Sequence, residues 1–284
     1  GRDSDQTIAV NRSTPIAGID LYLLIDESGS MGGPTGTDPA ALVDLCAQFF
    51  ANRELAAVGL GTFGPCDPDP DSPSYGRILT TPKPGWSGVD LLGLLAARIA
   101  APIPMTTDVT AAALGEQRYG AGVGVEDLVY ITIGTGVGGG AMVQGRLVHG
   151  AQHPEMGHVL MPWTGPRGVC PYHGNCFEGL ASGPAMAARE GRPGTEIDDD
   201  DPAWDTETMI VAAGLHAITC ILSPRRIIVG GGVGSREALH RRLPARLQDS
   251  LAGYLPVPDV VAPALGSDAG VIGAITLAQD HSQG

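Results

Sequence analysis

His158, Cys170, His173 and Cys176 fall within nineteen consecutive positions of this chain. Zinc takes four nitrogen and sulfur ligands in a tetrahedron, and thiolates with imidazoles are a preferred set. Four protein ligands leave no open position, so such a zinc is structural; ligand type alone does not separate zinc from a competing metal. The same stretch, His153 to Gly183, carries the carboxylates Glu155 and Glu178. A metal that folds this loop also fixes those acids in space. A carboxylate can accept bonds from two vicinal hydroxyls, so the pair suits a polyhydroxylated ligand. Elsewhere Asp108 follows Thr107 at the head of AAALGEQRYG. It can cap a helix.

Glycine-rich segments supply the other candidates. Gly134-Thr135-Gly136-Val137-Gly138-Gly139-Gly140 follows the apolar run Leu128–Ile133. The spacing predicts a tight turn, with a second strand over Ala141–Val143. Ser182-Gly183 opens a predicted helix to Arg189 whose N-terminus suits a phosphate. Gly230–Gly234, including Gly231 and Gly232, follows a predicted strand over Arg226–Val229. Gly61-Thr62-Phe63-Gly64-Pro65 ends a predicted strand over Ala56–Gly61.

The elements that must position these residues alternate in type. Gly18–Ile25 reads as a buried strand. Asp38 caps a helix that begins at Pro39 and runs to Phe50. Cys66 to Trp86, rich in Pro, Asp and Gly, reads as a long surface loop. Helical spacing recurs over Val89–Ala101, Trp204–Leu222, Glu237–Tyr254 and Ala269–Ala278, with a short edge at Val260-Val261. Asp198–Asp201 reads as a solvated acidic loop. Strands alternating with helices indicate an α/β architecture, in which ligands gather at the carboxyl ends of strands.

The 284 residues suffice for about two domains, and 43% apolar content supports a core. The formal charge is −14, which argues against a nucleic-acid or anionic-membrane surface. The five cysteines, with two at C-x2-H-x2-C spacing, favour a metal and free thiols over a disulfide framework. No apolar run approaches the roughly 20 residues of a membrane span, and no signal peptide is visible. Residues 1–17 read as a tail. A cytoplasmic enzyme is the expectation.

Taken in order, Gly61–Pro65, Thr107-Asp108-Val109, Gly134–Gly140, His153-Pro-Glu155-Met-Gly-His158 and Cys170-Pro-Tyr-His173-Gly-Asn-Cys176-Phe-Glu178-Gly resemble bacterial ROK-family sugar kinases. The resemblance is strongest to the zinc-containing fructokinases and covers about Thr37 to Ala278. It implies an α/β fold of the two-domain actin/hexokinase-like (ribonuclease H-like) type, closing over a cleft. The smaller domain would span residues 18–117, with 268–284 packing back on it; the larger would span 118–267 with a zinc loop at 153–183. The implied reaction moves the γ-phosphoryl of ATP, with Mg2+, to a sugar hydroxyl, most of all O6 of fructose. Asp108 would be the catalytic base. Gly61, Thr62, Gly64, Pro65, Thr107, Asp108, Glu155, His158 and Glu178 would contact the sugar. Gly134, Thr135, Gly136, Gly138, Ser182, Gly183, Gly231 and Gly232 would hold the nucleotide, and His158, Cys170, His173 and Cys176 the structural zinc. A homodimer is also implied. Thr110 stands where the family usually has Asn.

The N-terminal segment departs from that pattern. The family's first loop reads Asp-x-Gly-Gly-Thr-Lys, and its best-matching counterpart here is Asp26-Glu27-Ser28-Gly29-Ser30-Met31; a second register starts at Gly18-Ile19-Asp20, with Leu21-Tyr22 in place of the glycines. Asp26, Ser28, Gly29 and Ser30 would be the phosphate contacts. A Ser at a close backbone approach crowds the nucleotide, and Met31 lacks the lysine charge. About seven residues separate Met31 from Asp38, too few for the family's first hairpin. The expected consequence is reduced kinase activity, or a catalytically weak sugar-binding protein on the same scaffold. Asp26-x-Ser28-x-Ser30 also resembles the start of the metal-ion-dependent adhesion site of von Willebrand factor A domains, a local likeness. A ROK-type repressor is disfavoured: no helix-turn-helix pattern precedes Asp38 and the charge is acidic.

Overall fold

The computed structural model describes residues 19–25, 38–51, 53–81 and 83–283. Asp26, Ser28, Gly29 and Ser30 lie outside the described residues. Two compact units divide the chain. Unit 1 takes the residues up to Gly115, then Val148–Pro154 and those from Asp268; unit 2 takes Glu116–Leu147 and Glu155–Ser267.

Unit 1 is built on three parallel strands in the order β1 (Ile19–Ile25), β2 (Leu55–Thr62) and β3 (Met105–Thr107). Ile25 pairs with Thr62, and Thr62 with Thr107, so the three strands end level with one another. Side chains alternate across a strand. Val58 and Leu60 join an apolar cluster with Leu42 and Cys46 of α1 (Pro39–Phe50) and Leu91 and Leu95 of α2 (Leu91–Ala96). Gly59, on the other face, lies under α8 (Ala269–Gln283), where a Cβ would stand 1.8 Å from the Ala274 carbonyl oxygen. Asp38 caps α1 by accepting the Ala40 N–H at 3.0 Å.

Two expectations for unit 1 are corrected. The helix expected over Val89–Ala101 spans only Leu91–Ala96: Asp90 caps its start by accepting the Gly93 N–H at 3.0 Å, and Pro102 and Pro104 bar the helix from reaching Ala101. Their carbonyls accept the N–H groups of Val58 and Leu60, each at 2.9 Å. The segment Cys66 to Trp86 is not merely a surface loop. Cys66, Ile78 and Trp86 are buried in the unit 1 core, and buried Asp67 gathers the hydroxyls of Ser72 and Ser74 and the Asp69 N–H.

Unit 2 holds a five-stranded sheet in the order β6 (Arg146–Leu147), β5 (Val137–Val143), β4 (Leu128–Ile133), β7 (Arg226–Gly230) and β8 (Asp259–Val261). β4 pairs antiparallel with β5 and parallel with β7. Its helices are α4 (Phe177–Ala181), α5 (Gly183–Glu190), α6 (Ala203–Leu222) and α7 (Glu237–Leu251). At twenty residues, α6 is long and apolar enough to span a bilayer, contrary to expectation. It is nonetheless a core helix: its fully buried Glu207 pairs with Arg189 of α5 at 2.6 Å. The acidic run is also not simply solvated. Asp199 accepts from Arg236 at 2.7 Å, and Arg192 and Arg241 pair with Asp201 and Asp200. The Arg236 guanidinium lies over the Trp204 ring.

Candidate active site and metal centre

In unit 1, β3 runs directly into α3 (Asp108–Tyr119), which places Asp108 at the helix start. The capping role considered for Asp108 belongs to its neighbour. Thr107 Oγ1 accepts the Thr110 N–H at 3.2 Å, whereas Asp108 Oδ1 accepts the N–H of adjacent Val109 at 2.8 Å. Asp108 is half-buried, and Thr107 is buried with its hydroxyl engaged. Gly61 and Thr62 end β2 beside β3, and Gly64-Pro65 follows as a cis peptide. Thr62 is fully buried, and its Oγ1 has no hydrogen-bond partner among the described residues.

In unit 2, His158, Cys170, His173 and Cys176 bring their ligand atoms within 4.8 Å of one another. His158 Nδ1 lies 3.5 Å from Cys176 Sγ and 3.8 Å from Cys170 Sγ, and His173 Nδ1 lies 3.7 Å from Cys170 Sγ. Zn–N bonds of about 2.0–2.1 Å and Zn–S bonds of about 2.3 Å at tetrahedral angles put N and S roughly 3.6 Å apart. The four residues therefore fit a tetrahedral metal ion. Gly179 lets the knuckle close, because a Cβ there would stand 1.9 Å from the Gly174 carbonyl oxygen. Burial raises the Cys176 thiol above its usual range; a bound cation acts in the opposite sense by favouring thiolate.

The knuckle carries the acids with it. Cys176 caps α4, its sulfur 3.3 Å from the Gly179 nitrogen, and Glu178 sits in the first turn. Glu178 Oε2 accepts the Val137 N–H at 3.1 Å and lies under Gly136, where a Cβ would approach it to 2.7 Å. Glu155 keeps solvent access, but desolvation by the surrounding protein, then the Glu178 carboxylate, push its carboxyl up to about 7.

Around the carboxyl ends of β4 and β7 the glycine segments meet. Gly183, at the start of α5, donates its N–H to the Gly134 carbonyl at 2.7 Å, and a Cβ on Gly134 would be 3.8 Å from the Gly232 nitrogen. Ser182 caps α5 by accepting the Ala185 N–H at 3.4 Å. Gly231 has φ +87°, and a Cβ there would stand 2.5 Å from the Ile133 carbonyl oxygen. Only Gly134, exposed Thr135 and Gly136 form the turn. Gly138, expected in the loop, is paired with Thr132 within β5, and Gly139 and Gly140 continue that strand. The antiparallel ladder claims their backbone groups, which corrects the expected length of the turn.

Sequence reasoning missed His153. It is buried, with Nδ1 3.3 Å from Thr107 Oγ1 and 3.4 Å from Thr110 Oγ1. Its position in the His-Pro-Glu run of the metal stretch drew attention to the ligands downstream; the pairing spans more than forty residues and leaves no local signal.

The architecture and these sites define a sugar-kinase-type α/β protein of the actin/hexokinase kind. The chain aligns with a ROK hexokinase from Thermus thermophilus at a TM-score of 0.71 and 27% identity, over 85% of this chain and 87% of that one. It aligns with a ROK family glucokinase from Streptomyces griseus, solved with glucose and AMPPNP, at a TM-score of 0.68 and 28% identity, over 86% and 90%. A fructokinase from Pediococcus pentosaceus is 39% identical over 250 residues, covering 86% of this chain and 87% of its own length. The ROK family model matches residues 25–281, and the chain belongs to the ROK family.

Proposed function

We propose that this protein transfers the γ-phosphoryl group of Mg2+-ATP to a hexose hydroxyl, with O6 of fructose as the preferred acceptor. The observation that carries this reading is the pair of constellations described above: a half-buried carboxylate at the head of α3 in unit 1, and in unit 2 two acids on a metal-ligand knuckle beside converging glycine segments. Relatives named as fructokinases, such as that of Pediococcus pentosaceus, support the choice of acceptor. Asp108 accepts the proton of the attacking hydroxyl as the phosphoryl group moves. Glu155, Glu178 and His158 bind the sugar hydroxyls, and Gly61, Thr62, Gly64, Pro65 and Thr107 shape the acceptor side. Gly134, Thr135, Gly136, Ser182, Gly183, Gly231 and Gly232 hold the nucleotide, with α5 offering its N-terminus to phosphate. Mg2+ supplies charge neutralisation at the phosphates when bound with ATP.

The metal in the knuckle is a structural zinc, held by His158, Cys170, His173 and Cys176 with no vacant position. The protein works in the cytoplasm as a homodimer.

A second reading is a sugar-binding protein with weak transfer activity, favoured by Ser28 and Met31 in place of the family's Gly and Lys. Isothermal titration with ATP and with fructose separately, beside a coupled turnover assay, decides between them. Binding of both with turnover supports the kinase. Fructose binding without ATP binding supports the second reading, and failure to bind any hexose sinks both.

A further inference from the structure

We propose that His153 is a positioning residue for Asp108, acting as a buried clamp on the first turn of α3; the inference rests on the kinase reading for what Asp108 does. The clamp itself is geometric and lies wholly within unit 1. Its Nδ1 faces two hydroxyl oxygens, Thr107 Oγ1 at 3.3 Å and Thr110 Oγ1 at 3.4 Å. Those hydroxyls are 2.8 Å apart, and Thr107 Oγ1 also accepts the Thr110 N–H. Thr107 and Thr110 bracket Asp108 in the sequence. One proton arrangement satisfies the cluster: Thr107 O–H donates to Thr110 Oγ1, Thr110 O–H donates to Nδ1, and the ring carries its hydrogen on Nε2.

That arrangement needs a neutral imidazole. Burial first, then the neighbouring His149, hold His153 down to about 4, so the ring is neutral near pH 7. The rest of the helix is fixed by other means. α3 meets α8 backbone to backbone, with a Cβ on Gly115 only 2.4 Å from the Ala269 carbonyl oxygen and one on Gly273 1.6 Å from that of Ala111. Among the described residues, His153 is the side chain from outside the turn that engages the Thr107 and Thr110 hydroxyls. Thr110, which departs from the Asn usual in the family, thereby has a use: its hydroxyl is the middle link of the clamp.

A misplacement of about 1 Å at a reacting group costs on the order of 100-fold in rate. Replacing His153 with Leu keeps comparable bulk and removes the polar contact; replacing it with Asn keeps a polar atom near the Nδ1 position. The His153→Leu protein should lose about 10- to 100-fold in kcat with sugar affinity by titration within about threefold of the parent. His153→Asn should recover most of that loss. Hydrogen exchange at the Val109 to Ala112 amides should quicken in His153→Leu and return toward parental values in His153→Asn. Equal kcat per folded molecule in His153→Leu, or no advantage of Asn over Leu, overturns the proposal, as does unchanged exchange in that turn. If the parent protein turns over no hexose, the kinase reading fails on that result alone, and the clamp is still judged by exchange.

Discussion

Asp108 is the residue proposed as the base for transfer. Thr107 supplies the cap of α3, so the Asp108 carboxylate is not required for helix initiation. Asp108→Asn should therefore lower turnover by about 100- to 10,000-fold, the range for loss of a general base, while sugar affinity and thermal midpoint change little. Turnover within tenfold of the parent would falsify the base assignment. His153 makes a second prediction at this scale. Its folded value of about 4 lies below the usual 6.5, so between those values the unfolded chain binds the extra proton. Stability is then fully present above pH 6.5 and declines as pH falls toward 4, by up to about 1.4 kcal/mol per pH unit from this group. Denaturant unfolding at pH 5 and pH 7 should show a gap that narrows by about 1–2 kcal/mol in His153→Asn; an unchanged gap means His153 does not titrate as its burial implies.

Two elements set the geometry of unit 2. The knuckle places Glu178 because Cys176 is both a candidate metal ligand and the cap of α4. Purified protein should carry one zinc per chain by elemental analysis. Cys176→Ser should lose it, lower the thermal midpoint and weaken fructose binding by about tenfold or more, the size of effect typical when a group that orients a binding residue, here Glu178, is lost. A metal-free parent with full sugar affinity is the contrary result. The turn after β7 depends on Gly231, at φ +87° and hard against the Ile133 carbonyl. Gly231→Ala should cost about 1–3 kcal/mol of stability through backbone strain and crowding. It should raise KM for ATP more than KM for sugar; equal KM values would remove the turn from the nucleotide site.

At the scale of the whole molecule, the net charge of −14 opposes non-specific binding to nucleic acid or anionic membranes, and the proposed dimer predicts a sedimentation mass near twice 29.1 kDa. A monomer at micromolar concentration would contradict it. The altered sequence Asp26–Met31 predicts ATP affinity and turnover below those of relatives carrying the family pattern, with sugar affinity retained. Restoring the pattern with Ser28→Gly and Met31→Lys should raise kcat/KM for ATP; no gain would relieve the loop of blame.

Much of this was legible in the chain. The Cys/His spacing announced a candidate metal set, which the fold gathers within 4.8 Å, because local spacing already limits which ligands can meet around one ion. The strand Leu128–Ile133 and the helix behind Asp38-Pro39 were readable because burial periodicity and caps are short-range signals. What only tertiary structure decided depended on partners far along the chain. Gly138–Gly140 became strand rather than loop because β4 offered them a ladder. The acidic run was claimed by arginines, among them Arg236 and Arg241 at the start of α7, and Cys66, Ile78 and Trp86 were drawn into a core from a segment whose composition spoke for a loop. His153 met Thr107 and Thr110 across more than forty residues. Composition and spacing record what a segment can do alone; which of its groups are buried, paired or charged is fixed by neighbours that only folding supplies.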